Sequence, residues 1–285
     1  MNCGNLGLLV LLSLAPLLAQ EPAPAAVRRW LEQSGLELRA QLNETHVWAG
    51  PQDLARARWI AERSRALRID LSAALKLTPR IHPERADVLL GVAPPLQQPA
   101  LPLRAAFDRA SRIIFLSTDA SAQEVDHELV HLALAQLCEP SALSLWLEEA
   151  LADEFSATEG ASEIAHPARA QPLDLLELLD ATPATHADWL SREPDRAISF
   201  VHGARNLLRW LRAEKPAASA ASGRDPVRAL LAMETGPKPR HGRKALARLL
   251  GEADDLGLAR KTFAHWIEIN SRRPTTQQQP HGSTR

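Results

Sequence analysis

The residues whose types and spacing carry chemistry are His127-Glu128-Leu129-Val130-His131. On an α-helix, positions i and i+4 share a face, so both imidazoles can turn toward one metal ion. Glu128 follows the first histidine and can reach a water held by that ion, where a carboxylate serves as general base. Two histidines leave such a centre short, because a four-coordinate catalytic site takes three protein ligands and keeps one place for water. The run Trp146-Leu147-Glu148-Glu149-Ala150-Leu151-Ala152-Asp153 supplies carboxylates for the third. Seventeen residues lie between His131 and Glu149. That is enough to finish one helix, turn at Pro140 and return on a second helix packed beside it.

This pattern resembles the gluzincin metallopeptidases, in which HExxH is followed by a Glu on the next helix. The local form WLEEALADEF is similar to the "WLxEGxA" segment of the aminopeptidase-like and related secreted bacterial branches. Aligning it makes Glu149 the third ligand and Glu148 its neighbour. The resemblance implies Zn²⁺ held by His127, His131 and Glu149, and a peptide or protein substrate. It implies that Glu128 takes a proton from the attacking water and later delivers it to the leaving amine. Asp153, four residues after Glu149, matches the family's ExxxD arrangement, whose Asp hydrogen-bonds the outer nitrogen of a ligand histidine and fixes its tautomer. In the family the strand before the metal helix often lies at the cleft edge and pairs with extended substrate. By position, that strand is Ile113 to Leu116.

One departure stands out. Many gluzincins hold the oxyanion of the tetrahedral intermediate with a Tyr or His from a later helix. In the secreted branch a Tyr opens the helix ending in a "LVRYL"-like run, here Leu207-Leu208-Arg209-Trp210-Leu211. This chain has no Tyr at all. Phe200 or Val201 falls near the expected place, and the adjacent His202 is the residue that can donate such a hydrogen bond. His166 and His186 fall in a loop-rich stretch and read as solvated loop histidines.

The elements that must position these groups are legible around them. Ser121-Ala122-Gln123-Glu124 is a capping-box pattern opening a helix to about Leu137, and a second helix spans about Ala142 to Ala157. Val88 to Val92 and Ile113 to Leu116 are short β-branched runs that read as strands. Pro51 to Leu77 repeats apolar residues at helical steps, and Val27 to Leu42 does so weakly. Helical pieces are expected at Leu173 to Leu179, Ile198 to Leu211, Val227 to Met233, Lys244 to Leu250 and Leu258 to Ile269. The fold expected is α+β and mainly helical: a zincin-like core, a small sheet preceding the HExxH helix, and a helical C-terminal part. The corresponding segments are a leader at 1–20, an N-terminal stretch and helix at 21–50, a catalytic domain at 51–211, a helical region at 212–273 and a polar, disordered tail at 274–285.

Composition narrows the function classes. The 285 residues carry 33 Lys+Arg against 34 Asp+Glu, with 45% hydrophobic residues. A near-neutral chain lacks the basic footprint of a nucleic-acid binder, and this apolar content excludes a wholly disordered one. Leu6 to Leu18 is an apolar run too short to span a bilayer, followed by Ala19 and a polar start, which is the form of a cleaved signal peptide. No other segment can span a membrane, so the mature chain is expected to be secreted or periplasmic. Cleavage removes Cys3 and leaves Cys138 alone, a small buried apolar residue rather than a nucleophile. The alternative function is a zinc-binding protein of the same fold without efficient proteolysis, a binding or scaffold module, and the missing Tyr is its argument.

Overall fold

The computed structural model describes residues 23–77, 85–93, 103–138, 143–156, 172–214, 225–236 and 238–271. The leader at 1–20, the turn at Pro140, His166 and the tail from 274 lie outside them. The described chain is mainly helical, with one mixed five-stranded sheet. Its strands are β1 (Glu37–Leu42), β2 (Thr45–Ala49), β3 (Ala86–Leu90), β4 (Ala105–Asp108) and β5 (Ile113–Leu116), in the order β1-β2-β3-β5-β4. The three inner strands are parallel, and each outer strand runs antiparallel to its neighbour.

Two sequence expectations need correction here. Val27 to Leu42 is not one helix: α1 (Ala23–Ser34) ends at Gly35, whose φ of +64° stops it, and β1 follows. The 21–50 stretch therefore contributes two strands to the sheet, and a domain boundary at 50 would cut between β2 and its parallel partner β3. The second correction concerns the sheet edge. Ile113 to Leu116 is an inner strand, between β3 and β4. The outer strand on that side is β4, whose sequence Ala-Ala-Phe-Asp lacks the β-branched residues that mark strands.

Helix α2 (Leu54–Leu75) crosses from β2 to β3 and packs along α3 (Ala122–Leu137), the helix carrying the HExxH residues. The capping box is complete: Ser121 Oγ accepts the Glu124 N–H at 3.2 Å, and Glu124 accepts the Ser121 N–H at 2.6 Å. Every α3 side chain from Glu124 to Leu137 is buried, so its registration must come from specific polar contacts as well as apolar packing. Arg63 of α2 supplies one, donating two bonds of 2.9 Å to buried Asp126. Arg56 donates to the Thr118 and Ala120 carbonyls just before the cap. Cys138 follows α3 and is buried, as its sequence reading expected.

Helix α4 (Leu145–Ser156) packs against α3. Beyond it come α5 (Leu175–Asp180), α6 (Pro183–Arg192), α7 (Pro194–Glu214), α8 (Pro226–Glu234), α9 (Gly242–Leu250) and α10 (Gly257–Ser271). The stretch read as loop-rich thus contains α6, and α7 begins four residues earlier than its apolar periodicity suggested. Among the described residues no helix is long and apolar enough to cross a membrane.

The start of α4 is held from α8. Glu234, fully buried, accepts the Ser144 N–H and hydroxyl, both at 2.7 Å, and the Gly242 N–H at 3.1 Å. Gly242 has a φ of +48°, and a Cβ there would sit 2.8 Å from the Leu179 carbonyl, so no side chain fits. Hydrogen bonds to a charged group are worth about 1.5–3 kcal/mol each, and orphaning buried partners removes more than one of them. Glu234→Ala is therefore expected to cost about 2–4 kcal/mol in urea unfolding. Glu234→Gln, which keeps one carbonyl acceptor, is expected to cost less than half as much. A wild-type midpoint for Glu234→Ala would show that this anchor does not hold α4.

Candidate metal centre

Helices α3 and α4 bring three side chains together. His127 and His131, one turn apart on α3, present their Nε2 atoms 3.1 Å from each other. Glu149 Oε2, from α4, lies 3.8 Å from each of them. The three donor atoms all fall within 4.8 Å of one another, and all three residues are buried. Ligand bonds of about 2.0–2.1 Å at tetrahedral angles put donors about 3.4 Å apart, so the cluster has the dimensions of a metal site.

Tautomers and protonation favour the same reading. His131 Nδ1 lies 3.0 Å from Glu148 Oε1. An Nδ1–H donated there leaves a lone pair on Nε2, aimed into the cluster. Burial pushes the His127 imidazole down to about 3. Burial, followed by the charges of His127, Arg109 and His186, holds His131 well below its ordinary value. Both rings are thus neutral at physiological pH, the form that ligates metals.

Charge is the second test. Glu128, Glu148, Glu149 and Asp153 are exposed by only 1%, 3%, 2% and 3%. Arg109 pairs with Glu148, and Arg205 Nε lies 3.1 Å from Asp153. Among the described residues, neither Glu128 nor Glu149 has a Lys or Arg within ion-pair distance, and each keeps an Oε2 without a hydrogen-bond partner. Burial pushes the Glu149 carboxyl well up, with Glu128 adding to the rise and Arg109 opposing it. Burial likewise pushes Glu128 well up, against a hydrogen bond from the Phe107 backbone N–H. Ionised, these two carboxylates would match the charge of one divalent cation, and the two neutral imidazoles would complete its donor set. The residues present fit a metal ion.

The partner of His131 differs from the sequence expectation. Asp153 does not take the outer nitrogen of a histidine: it faces Arg205 of α7, and burial pushes its carboxyl up while Arg205 and Arg209 oppose. The carboxylate behind His131 is Glu148, which precedes the cluster's own Glu149. Residues next to each other on a helix point about 100° apart, so one reaches the Nε2 side and the other the Nδ1 side. His127 Nδ1 has no hydrogen-bond partner among the described residues.

The histidine expectation also needs correction. His186 is not a solvated loop residue. It sits on α6, wholly buried, with neither ring nitrogen hydrogen-bonded among the described residues and its pKa lowered by burial to about 3. Phe200 packs on it, with ring centroids 4.9 Å apart. His202 is on α7 and half-buried. The signal that marks His186 is an unpaired buried imidazole, which only the fold reveals.

A separate groove of about 540 Å³ opens at the start of α7, lined by Glu177, Arg192, Glu193 and Arg196 among others. Arg196 pairs with Glu177 and Glu193 there, and none of the three clustered residues lines it. No family model, curated protein or solved structure matches the chain.

The geometry ranks the carboxylates for metal binding. Glu149→Ala removes a donor atom and is expected to abolish stoichiometric binding. Glu148→Ala frees His131 to rotate and is expected to weaken it about 10–100-fold. Asp153→Ala, which removes a partner of Arg205 rather than of a histidine, should weaken it least. Metal titration against a chelator orders the three; Asp153→Ala falling above Glu148→Ala would reverse the assignment.

Proposed function

We propose that this chain is a zinc-dependent hydrolase of the gluzincin type that cleaves peptide bonds, and that the mature form acts outside the cytoplasm once the leader at 1–20 is removed. The observation that carries the reading is the convergence of His127 Nε2, His131 Nε2 and Glu149 Oε2 in a buried, charge-deficient cluster, with Glu128 beside it. Zinc bound by these three residues would supply Lewis-acid polarisation of a carbonyl and acidify a water.

The remaining work falls to the chain. Glu128 is oriented by the Phe107 N–H and takes the proton of the attacking water, then returns it to the leaving nitrogen. His186 is the donor for the substrate carbonyl as it becomes tetrahedral, a role His202 was expected to fill. Its two nitrogens are without a hydrogen-bond partner among the described residues, and Phe200 packs on the ring. Strand β4 is the outer strand beside α3. Ser117 N–H bonds to the Arg104 carbonyl at 2.7 Å, so by antiparallel alternation Ala105 and Phe107 face away from β5. With the Phe107 N–H taken by Glu128, the Ala105 backbone and the Phe107 carbonyl are the groups an extended peptide would pair with.

One observation favours a second reading, a zinc-binding protein of this fold without efficient proteolysis. His127, Glu128, His131 and Glu149 expose between 0% and 3% of their surface, and β4 is buried throughout. A substrate must reach all of them.

Zinc-loaded protein incubated with a peptide library separates the readings. Wild-type protein should carry about one zinc per chain and cleave. Glu128→Gln should keep the zinc and lose cleavage. His186→Gln should keep the zinc and lose about 10²–10³ in kcat, whereas His202→Ala should lose little. Full zinc with no cleavage by the wild type would establish the second reading, and absence of zinc would remove both.

A further inference from the structure

We propose that Arg109 is a positioning residue of the metal centre, acting through Glu148 to set the ring of His131. This rests on the reading of His127, His131 and Glu149 as metal ligands.

Arg109 sits in the turn that joins β4 to β5, and that turn is itself built to be rigid. Asp108, wholly buried, accepts the Ala110 N–H at 3.0 Å and the Ser111 hydroxyl, and Arg112 closes the turn at a φ of +56°. The Arg109 guanidinium is carried inward, its side chain 18% exposed, and pairs with Glu148 Oε2, whose side chain is 3% exposed. The other oxygen, Oε1, faces His131 Nδ1 at 3.0 Å. The order guanidinium, carboxylate, imidazole ends on Nε2, the atom that meets His127 and Glu149. Two residues before Arg109, Phe107 stacks on the same imidazole, with ring centroids 6.3 Å apart and planes 13° from parallel. One hairpin therefore holds His131 twice: on its face through Phe107, and on its edge through Arg109 and Glu148.

Held by the guanidinium at one oxygen, Glu148 presents the other to Nδ1 in a fixed direction, which orients the ring and aims Nε2 into the cluster. Arginine suits the task because its planar fork fixes the orientation of the carboxylate as well as its charge. Asp153 was expected to set a histidine; the residue pair that does so is Glu148, from the same helix, with Arg109 from the β4–β5 turn.

The experiment measures zinc affinity by chelator competition, and Co²⁺ absorption, for the full mature chain and four variants. Arg109→Gln should bind zinc about 10–100-fold more weakly than wild type and shift the Co²⁺ visible bands, since the imidazole is no longer held. Arg109→Lys should restore at least half of the lost affinity on a logarithmic scale, because it returns the charge without the fork. Glu148→Ala and the double variant Arg109→Gln/Glu148→Ala should bind equally, because removing the carboxylate leaves Arg109 nothing to act through. Wild-type affinity and an unchanged Co²⁺ spectrum in Arg109→Gln would overturn the proposal. So would fully additive losses in the double variant. If Arg109→Gln does not fold by circular dichroism, Arg109→Lys decides: the Co²⁺ bands should move while zinc still binds, and unmoved bands overturn the assignment. A wild-type chain that takes up neither ion fails at the metal centre itself, a result distinct from all of these.

Discussion

Burying four acidic side chains is the constraint on which the rest of this molecule depends. Helices α3 and α4 pack face to face with Glu128, Glu148, Glu149 and Asp153 all nearly inaccessible. An unpaired charge in such surroundings costs several kcal/mol even after relaxation, far more than a marginally stable fold can leave uncompensated several times over. The fold answers two of the four with arginines, from the β4–β5 turn and from α7. It answers the other two by leaving them beside lone pairs of neutral histidines. The seam between α3 and α4 therefore holds His127, His131 and Glu149 as a buried cluster that could hold a metal ion.

The scaffold around this pair is organised to keep it from relaxing away. A buried charge cluster could lower its energy by separating the helices, and the anchors oppose that motion at both ends. Asp126 is held to α2 by the two-pronged bond from Arg63, while the α4 start is held by Glu234. On the sheet side, Phe107 reaches Glu128 through its backbone and His131 through its ring. These contacts link elements far apart in sequence, so each becomes effective only when the whole core has formed.

What could be read from the chain follows from how local each signal is. The ligand pair on α3 and its capping box are spacing rules within one helix, and both hold in the structure. The third member, Glu149, was reached through a resemblance in the next helix and does join the cluster. Contacts that depend on how two elements cross were not legible. Asp153 shares a helical face with Glu149, but the angle of α4 against α3 hands the outer nitrogen of His131 to Glu148 instead. β4 escaped notice because Ala-Ala-Phe-Asp has no strand signature; its pairing with β5 and its burial make it a strand. His186 lay among prolines that suggest a loop, yet Pro183 opens α6, a position where proline's missing N–H costs nothing.

The preference for arginine over lysine in this chain acquires a physical meaning from these contacts. Arg63 on Asp126, Arg85 on Asp87 and Arg260 on Asp174 each present two nitrogens to one carboxylate group. A forked donor fixes direction as well as distance, which an ammonium cannot do. Where the carboxylate orients an imidazole whose other nitrogen points into the His127–Glu149 cluster, direction decides the outcome. An error of one rotamer in Glu148 would turn the His131 lone pair out of the cluster. The same side chain that neutralises a buried acid elsewhere in the fold thereby becomes, at Arg109, part of how the site keeps its shape.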